Sequence, residues 1–177
     1  MFELQEIDPQ HYRKQTRKST MIIMAMFMVV GLATARLFVH WLGDYSNNLI
    51  VLNFMGAFAG LVLTGFIVKW FFKDQPWMKE AMYAWRLKRS LMHITNKLRP
   101  IQEAVEAGDE EAMKILRFYH LGLAQMHRLE ENSTALIDLQ AEKHALETRL
   151  REHGIALEQR RFDPQWVERF SHASEAG

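Results

Sequence analysis

Hydrophobic and polar positions divide the chain into two regimes. Residues 21–42 and 49–72 form two nearly continuous apolar runs of 22 and 24 residues, joined by the polar turn Gly43-Asp-Tyr-Ser-Asn-Asn48. At about 1.5 Å of rise per residue, roughly 20 apolar residues in a helix cross a hydrocarbon core of about 30 Å. A backbone in lipid satisfies its own hydrogen bonds, so both runs are predicted as helices and together as a transmembrane hairpin.

Past Phe72 the period changes to that of amphipathic helices. Trp77, Ala81, Ala84, Leu87, Leu91, Ile94 and Leu98 recur at spacings of three and four until Pro100 interrupts. A short helix is predicted over Ile101–Ala107. Gly108-Asp109 then restarts the chain, with Glu110 and Glu111 placed for a helix N-terminus and Ala112, Ile115, Leu116, Tyr119, Leu123 and Met126 as its stripe. Leu87, Leu91 and Ile94 are expected to pack on Leu116, Tyr119 and Leu123. Leu129, Leu136, Leu139, Leu146, Leu150 and Leu157 follow a heptad-like series, with Asn132, Lys143 and His153 at core positions. This seam either packs on its own domain or pairs with another chain. Leu146 and Leu150 are expected at an outer edge unless the long helix folds back. Gly154 weakens that helix near its end, Asp163-Pro164 starts another short one, and Ser171–Gly177 is expected to fray.

The predicted fold class is all-α: a transmembrane helical hairpin followed by a cytoplasmic helical-hairpin or coiled-coil-like domain. The expected segments are a basic N-terminal stretch (1–20), two spans (21–42 and 49–72), an external loop (43–48) and a cytoplasmic domain (73–177).

Composition sharpens this picture. Apolar residues make up 49% of the 177, yet the mean hydropathy is only −0.19, as expected when apolar residues concentrate in one block. Met21–Ala35 also fits a secretory signal with an Ala33-Thr34-Ala35 cleavage triplet, but the apolar run continues to Leu42, which favours a span. Orientation follows from charge. Arg13, Lys14, Arg17 and Lys18 precede the first run, Lys69, Lys73, Lys79, Arg86, Lys88 and Arg89 close and follow the second, and the loop has no Lys or Arg. Both termini are therefore expected in the cytoplasm. The same four N-terminal cations serve as a topology signal or, in a sharper reading, bind lipid headgroups.

Inside the runs, Gly31 and Ala35 share one helix face, and Gly56, Gly60 and Thr64 share another. Small residues let backbones approach, within one hairpin or across a homo-oligomer seam. Arg36 and Asn53 enter their helices to similar depths, with His40 one turn above Arg36. They predict a shared polar region, an ion path or interhelical glue, with snorkelling of Arg36 as the plainer alternative.

The absences narrow the chemistry. With no cysteine there is no disulfide, thiolate metal site or cysteine nucleophile. The sequence has no phosphate-binding glycine loop, zincin helix or nucleophile elbow. His120 and His127 roughly share a face but need further ligands to hold a metal. No catalytic residue, metal or cofactor is expected. Arg86-Leu-Lys-Arg89 has the charge to touch RNA, but anionic lipid is the nearer partner, and a net charge of +1 gives no general pull toward nucleic acid. The expected partners are the bilayer and either a second copy or another membrane protein. The leading reading is a non-enzymatic membrane scaffold, and the alternative is an accessory subunit of a transporter or channel.

One resemblance is carried by motifs in order: Ile7-Asp8-Pro9 with Tyr12-Arg13-Lys14, Asn53-x-x-Gly56, Tyr83-x-Trp85-Arg86-Leu87-Lys88, Leu116-Arg117-Phe118-Tyr119, and Gln125 with Leu129-x-x-Asn132. From Met1 to about Leu150 the chain resembles an uncharacterised family of proteobacterial inner-membrane proteins, a domain of unknown function. Ala84 and Glu131 stand where that pattern has valine and aspartate. The resemblance implies a bacterial inner membrane and two transmembrane helices, and it supplies no activity, cofactor or catalytic residue.

Overall fold

The computed structural model describes residues 1–46 and 48–174. The described residues are all-α apart from one minimal strand pair. In order it forms β1 (Phe2–Glu3), α1 (Pro9–Leu42), α2 (Leu49–Ile67), a π-helical turn (Val68–Phe72), a 3-10 turn (Pro76–Met78), α3 (Lys79–Thr95), α4 (Leu98–Glu106), α5 (Glu110–Leu129), α6 (Ser133–Glu152), β2 (Arg161–Phe162) and a 3-10 segment (Pro164–Ser174). It divides into two compact units, Lys14–Met82 and Met1–Arg13 with Tyr83–Gly177. The expected basic N-terminal segment is thus split, and its first thirteen residues belong with the C-terminal half.

In the Lys14–Met82 unit, α1 and α2 form a hairpin, and both are long and apolar enough to cross a membrane. The buried residues of α2 are Leu52, Gly56, Gly60 and Thr64, one stripe at a spacing of four. Asn48 caps α2 by accepting the Val51 N–H at 3.2 Å. The predicted loop 43–48 includes Asn47, which lies outside the described residues. Ser19, only 1% exposed, donates its hydroxyl to the Trp77 carbonyl and ties α1 to the turn after α2.

The other unit is built around α5. Ala112, Met113, Ile115, Leu116, Phe118 and Gly122 are all buried, so apolar residues cover most of its circumference, as in a central helix. Asp109 caps it through the Ala112 N–H at 2.8 Å. Ile94 and Leu116 fall in one core cluster, while Leu87 and Leu91 pack in a second with Tyr12, Tyr83 and Leu129; Tyr119 and Leu123 border that second cluster. The α3 stripe therefore meets α5 as expected, but divided between two clusters. A Cβ on Gly122 would lie 2.8 Å from Leu91 Cδ2, the end of a side chain that can shift, so Leu87 and Leu91 pack directly over this glycine.

The leucine seam is corrected. Leu129 ends α5, Glu131 takes a left-handed φ of 58°, and Asn132 caps α6 instead of occupying a core position. At the other end Gly154, at φ 66°, closes α6: Ile155 N–H reaches Leu150 O at 2.8 Å and Gly154 N–H reaches Arg151 O at 3.1 Å. Leu157 therefore lies beyond the helix. α6 folds back on α5, and Leu146 and Leu150, 4% and 0% exposed, are core residues instead of an outer edge.

The strands pair antiparallel, Phe2 opposite Phe162. Phe162 stacks on Phe118 with ring centroids 5.0 Å apart, and Phe2 meets Phe118 edge-on at 6.3 Å. The N-terminal arm thereby completes the core. The segment after Asp163-Pro164 is helical, though 3-10, and reaches Ser174; the rest of the expected fraying tail lies outside the described residues.

Candidate functional site

The helix-packing residues meet within one chain. A Cβ placed on Gly56 would run into the Ala35 backbone, and one on Gly60 into Gly31 Cα at 2.6 Å. Gly31, Ala35, Gly56, Gly60 and Thr64 are all buried. Two hydroxyls inside this contact are satisfied locally: Thr34 donates to Val30 O at 2.9 Å and Thr64 to Gly60 O at 2.8 Å. Neither hydroxyl is therefore left unpaired in the seam.

The polar residues of the two apolar helices lie outside the seam. Arg36, His40 and Asn53 are exposed on their helices, and Asn53 Nδ2 donates to Leu49 O of its own helix at 2.8 Å. Neither Arg36 nor Asn53 enters the interhelical seam. The inward residues are Ala35 and Leu52, each one position earlier, and one helical step turns a side chain by about 100°. Equal depth does not by itself turn a side chain inward.

The basic flank also divides. Lys14, Arg17 and Lys18 are exposed, whereas Arg13 pairs with Glu131 at 2.6 Å and reaches Leu129 O at 3.5 Å. Arg13 holds the start of α1 on the α5–α6 turn and is not a free headgroup ligand.

A cavity of about 470 Å³ in the Met1–Arg13 and Tyr83–Gly177 unit runs beside the N-terminal arm. Its walls carry Glu6 and Asp8 against Arg128, Lys143 and Arg160. Beside it is a closed polar chain: Gln5 N–H donates to the Tyr83 hydroxyl at 3.1 Å, that hydroxyl donates to Gln125 Oε1 at 2.7 Å, and Gln125 Nε2 donates back to Gln5 O. Burial pushes the Tyr83 hydroxyl above its ordinary value. Leu4 N–H donates to Arg160 O at 2.8 Å, and Arg160 meets Glu6 at 3.3 Å. Every polar atom in this chain is satisfied by another, so it serves as a clasp that fixes the arm. Among the described residues no group of three His, Cys, Asp or Glu is placed to hold a metal ion.

A second cavity, about 330 Å³, lies among α4, α5 and α6 and is lined by Glu106, His120, Glu142 and Arg149, among others. His120 is 3% exposed and its Nδ1 has no hydrogen-bond partner. Burial, then the charges of Arg117 and Lys143, push its pKa down to about 4. Glu142 is 3.7 Å away and largely exposed, too far and too well solvated to reverse this. The imidazole is thus neutral in the folded protein. Between its ordinary value of 6.5 and about 4 the unfolded chain binds a proton that the folded chain does not, so stability falls as pH drops through this window. From about pH 7 to about pH 5 the His120 contribution to this loss is about 2 kcal/mol. His120→Gln is expected to remove that share; equal pH dependence of urea unfolding in both proteins would contradict it.

Sequence reasoning missed Arg117, Tyr83, Gln125 and Ser90 as buried or clasped polar groups. For Arg117 the available signal was Met113–Gly122, a stretch too apolar around its circumference for one exposed face. Neither the curated proteins nor the solved structures contain a match to this chain. The family model described as a protein of unknown function, DUF3087, matches residues 2–167, and the chain belongs to that family.

Proposed function

We propose that this protein is a non-enzymatic membrane scaffold: a helical hairpin in the bacterial inner membrane that holds a cytoplasmic helical interaction module at the bilayer surface. One observation carries the reading. The outer faces of α1 and α2 expose Met24, Met28, Val29, Leu32, Phe54 and Phe58, each 59% or more accessible, while the small residues face inward. Such a surface is costly in water and suited to lipid. The cation bias of the flanking segments supports cytoplasmic termini. The placement of Arg36, His40 and Asn53 gives no support to a transport pathway within one chain.

Because the chain has no cysteine, Ser46→Cys introduces a single thiol. An impermeant maleimide added to intact spheroplasts is expected to label it, and labelling only after the membrane is opened would contradict the orientation. Crosslinking in native membranes then tests the scaffold itself: a recurrent protein partner is expected, and turnover of a small molecule by the purified chain would overturn the non-enzymatic reading.

A further inference from the structure

We propose that α3 carries an anionic-phospholipid headgroup site formed by Trp85, Arg86, Arg89, Ser90 and His93; this rests on the membrane reading above. These residues line a hollow of about 210 Å³ together with Met1, Phe2 and Pro164. Arg86, Ser90 and His93 follow one another at helical spacing, Trp85 and Arg89 lie beside them, and Leu87, Leu91 and Ile94 occupy the buried face.

Three features point to an anion. No acidic side chain lines this hollow, whereas Glu6 and Asp8 line the cavity beside the N-terminal arm and Glu106 and Glu142 the one among α4, α5 and α6. Asp163, next to Pro164 on the rim, is engaged by the Met1 amino group at 3.2 Å. Arg86 and Arg89 have no acidic partner among the described residues, in contrast to Lys88, which pairs with Glu130 at 2.7 Å. Arg89 instead lies over the Trp85 ring, 5.3 Å from its centroid. The Ser90 side chain, in a residue only 6% exposed, has no hydrogen-bond partner among the described residues. Two guanidinium groups and a hydroxyl match phosphate oxygens, and an exposed Trp suits the bilayer interface.

The choice of lipid over nucleic acid comes from the chain. Trp85 follows Phe72, the end of the second apolar helix, by 13 residues. Even fully extended, that connection spans at most about 45 Å, which keeps the patch within reach of headgroups at high local concentration. A basic residue near an anionic surface strengthens association roughly 5-fold, and two do so roughly 30-fold.

The test uses the full chain in nanodiscs. Met92, exposed on α3, is replaced by the protein's single cysteine and labelled with an environment-sensitive fluorophore. Nanodiscs containing phosphatidylglycerol are expected to shift the emission to the blue relative to phosphatidylcholine alone. Arg86→Gln with Arg89→Gln is expected to abolish the shift, and high salt to weaken it. Both arginines are exposed, so an unchanged circular dichroism spectrum serves as the folding control. Identical emission in the two lipids, or a shift that survives the double substitution, overturns the site alone. A shift produced by single-stranded RNA in phosphatidylcholine discs, and not by phosphatidylglycerol, assigns the patch to nucleic acid and overturns it as well. Recovery of the chain outside the discs overturns the membrane reading and the site together.

Discussion

Arg117→Met is expected to destabilise the protein by about 3–5 kcal/mol, the range for removing one partner of a buried ion pair. Arg117 is 5% exposed, and its Nε donates to the Leu157 carbonyl at 2.7 Å. Its NH1 lies 2.8 Å from Glu147 Oε1, paired by charge though without good hydrogen-bond geometry. Burial alone would push the Glu147 carboxyl up; the Arg117 guanidinium, with Lys143 and Arg151, reverses this and holds it below the usual carboxylate range. This contribution is fully present above the unfolded carboxylate's pKa and is lost as pH falls through the lower folded one. Methionine fills much of the volume but leaves a half-buried carboxylate and the Leu157 carbonyl without their donor. Lysine keeps the charge but not the fork that serves both partners, so an intermediate loss is expected. Denaturant unfolding of the full chain in detergent measures both, and a loss below about 1 kcal/mol for Arg117→Met would mean that water replaces the guanidinium at little cost.

Helix boundaries were legible where a residue acts locally. Asp8 does cap α1, accepting the His11 N–H at 2.7 Å, with Pro9 in the first turn. The all-α class and the two apolar helices follow from period and run length. What was not legible depends on phase or on distant pairing. Two residues, Phe2 and Glu3, have no periodicity to read, and their partners lie at the far end of the chain. A fragment starting at Asp74 would therefore lack β1 and Tyr12. The spacing of Leu129–Leu157 is the same whether the partner is in the chain or outside it. Asn132 and Gly154 held the missing information, because one is a helix-start and the other a helix-stop residue, both placed inside the supposed seam. Arg36 and Asn53 show the same limit within the two apolar helices: run position gives the level along the helix, but only the partner helix fixes which face is inward.

Valine at Gly56 or Gly60 is expected to separate α1 from α2. A Cβ at Gly56 would lie 2.9 Å from both the Ala35 nitrogen and the Thr34 carbonyl oxygen, and one at Gly60 would lie 2.5 Å from Thr34 Oγ1 and 2.6 Å from Gly31 Cα. Several of these neighbours are backbone, which cannot rotate away, so the helices must move apart and lose dispersion contacts along the whole seam. Overpacking costs about 1–3 kcal/mol at an adaptable site, and the upper end is expected for each substitution here. Gly65 is the internal control: it lies one residue past Thr64, and a Cβ there meets nothing within 4 Å. Gly65→Ala should leave stability unchanged or raise it slightly through helix propensity. The measurement is the thermal midpoint of the full chain in detergent, read with its oligomeric mass. A fall for Gly56→Val and Gly60→Val but not Gly65→Ala locates the small-residue stripe inside the hairpin. Unchanged midpoints accompanied by a smaller mass would instead mean that the stripe pairs between chains, with Gly31 and Ala35 contributed by a second copy.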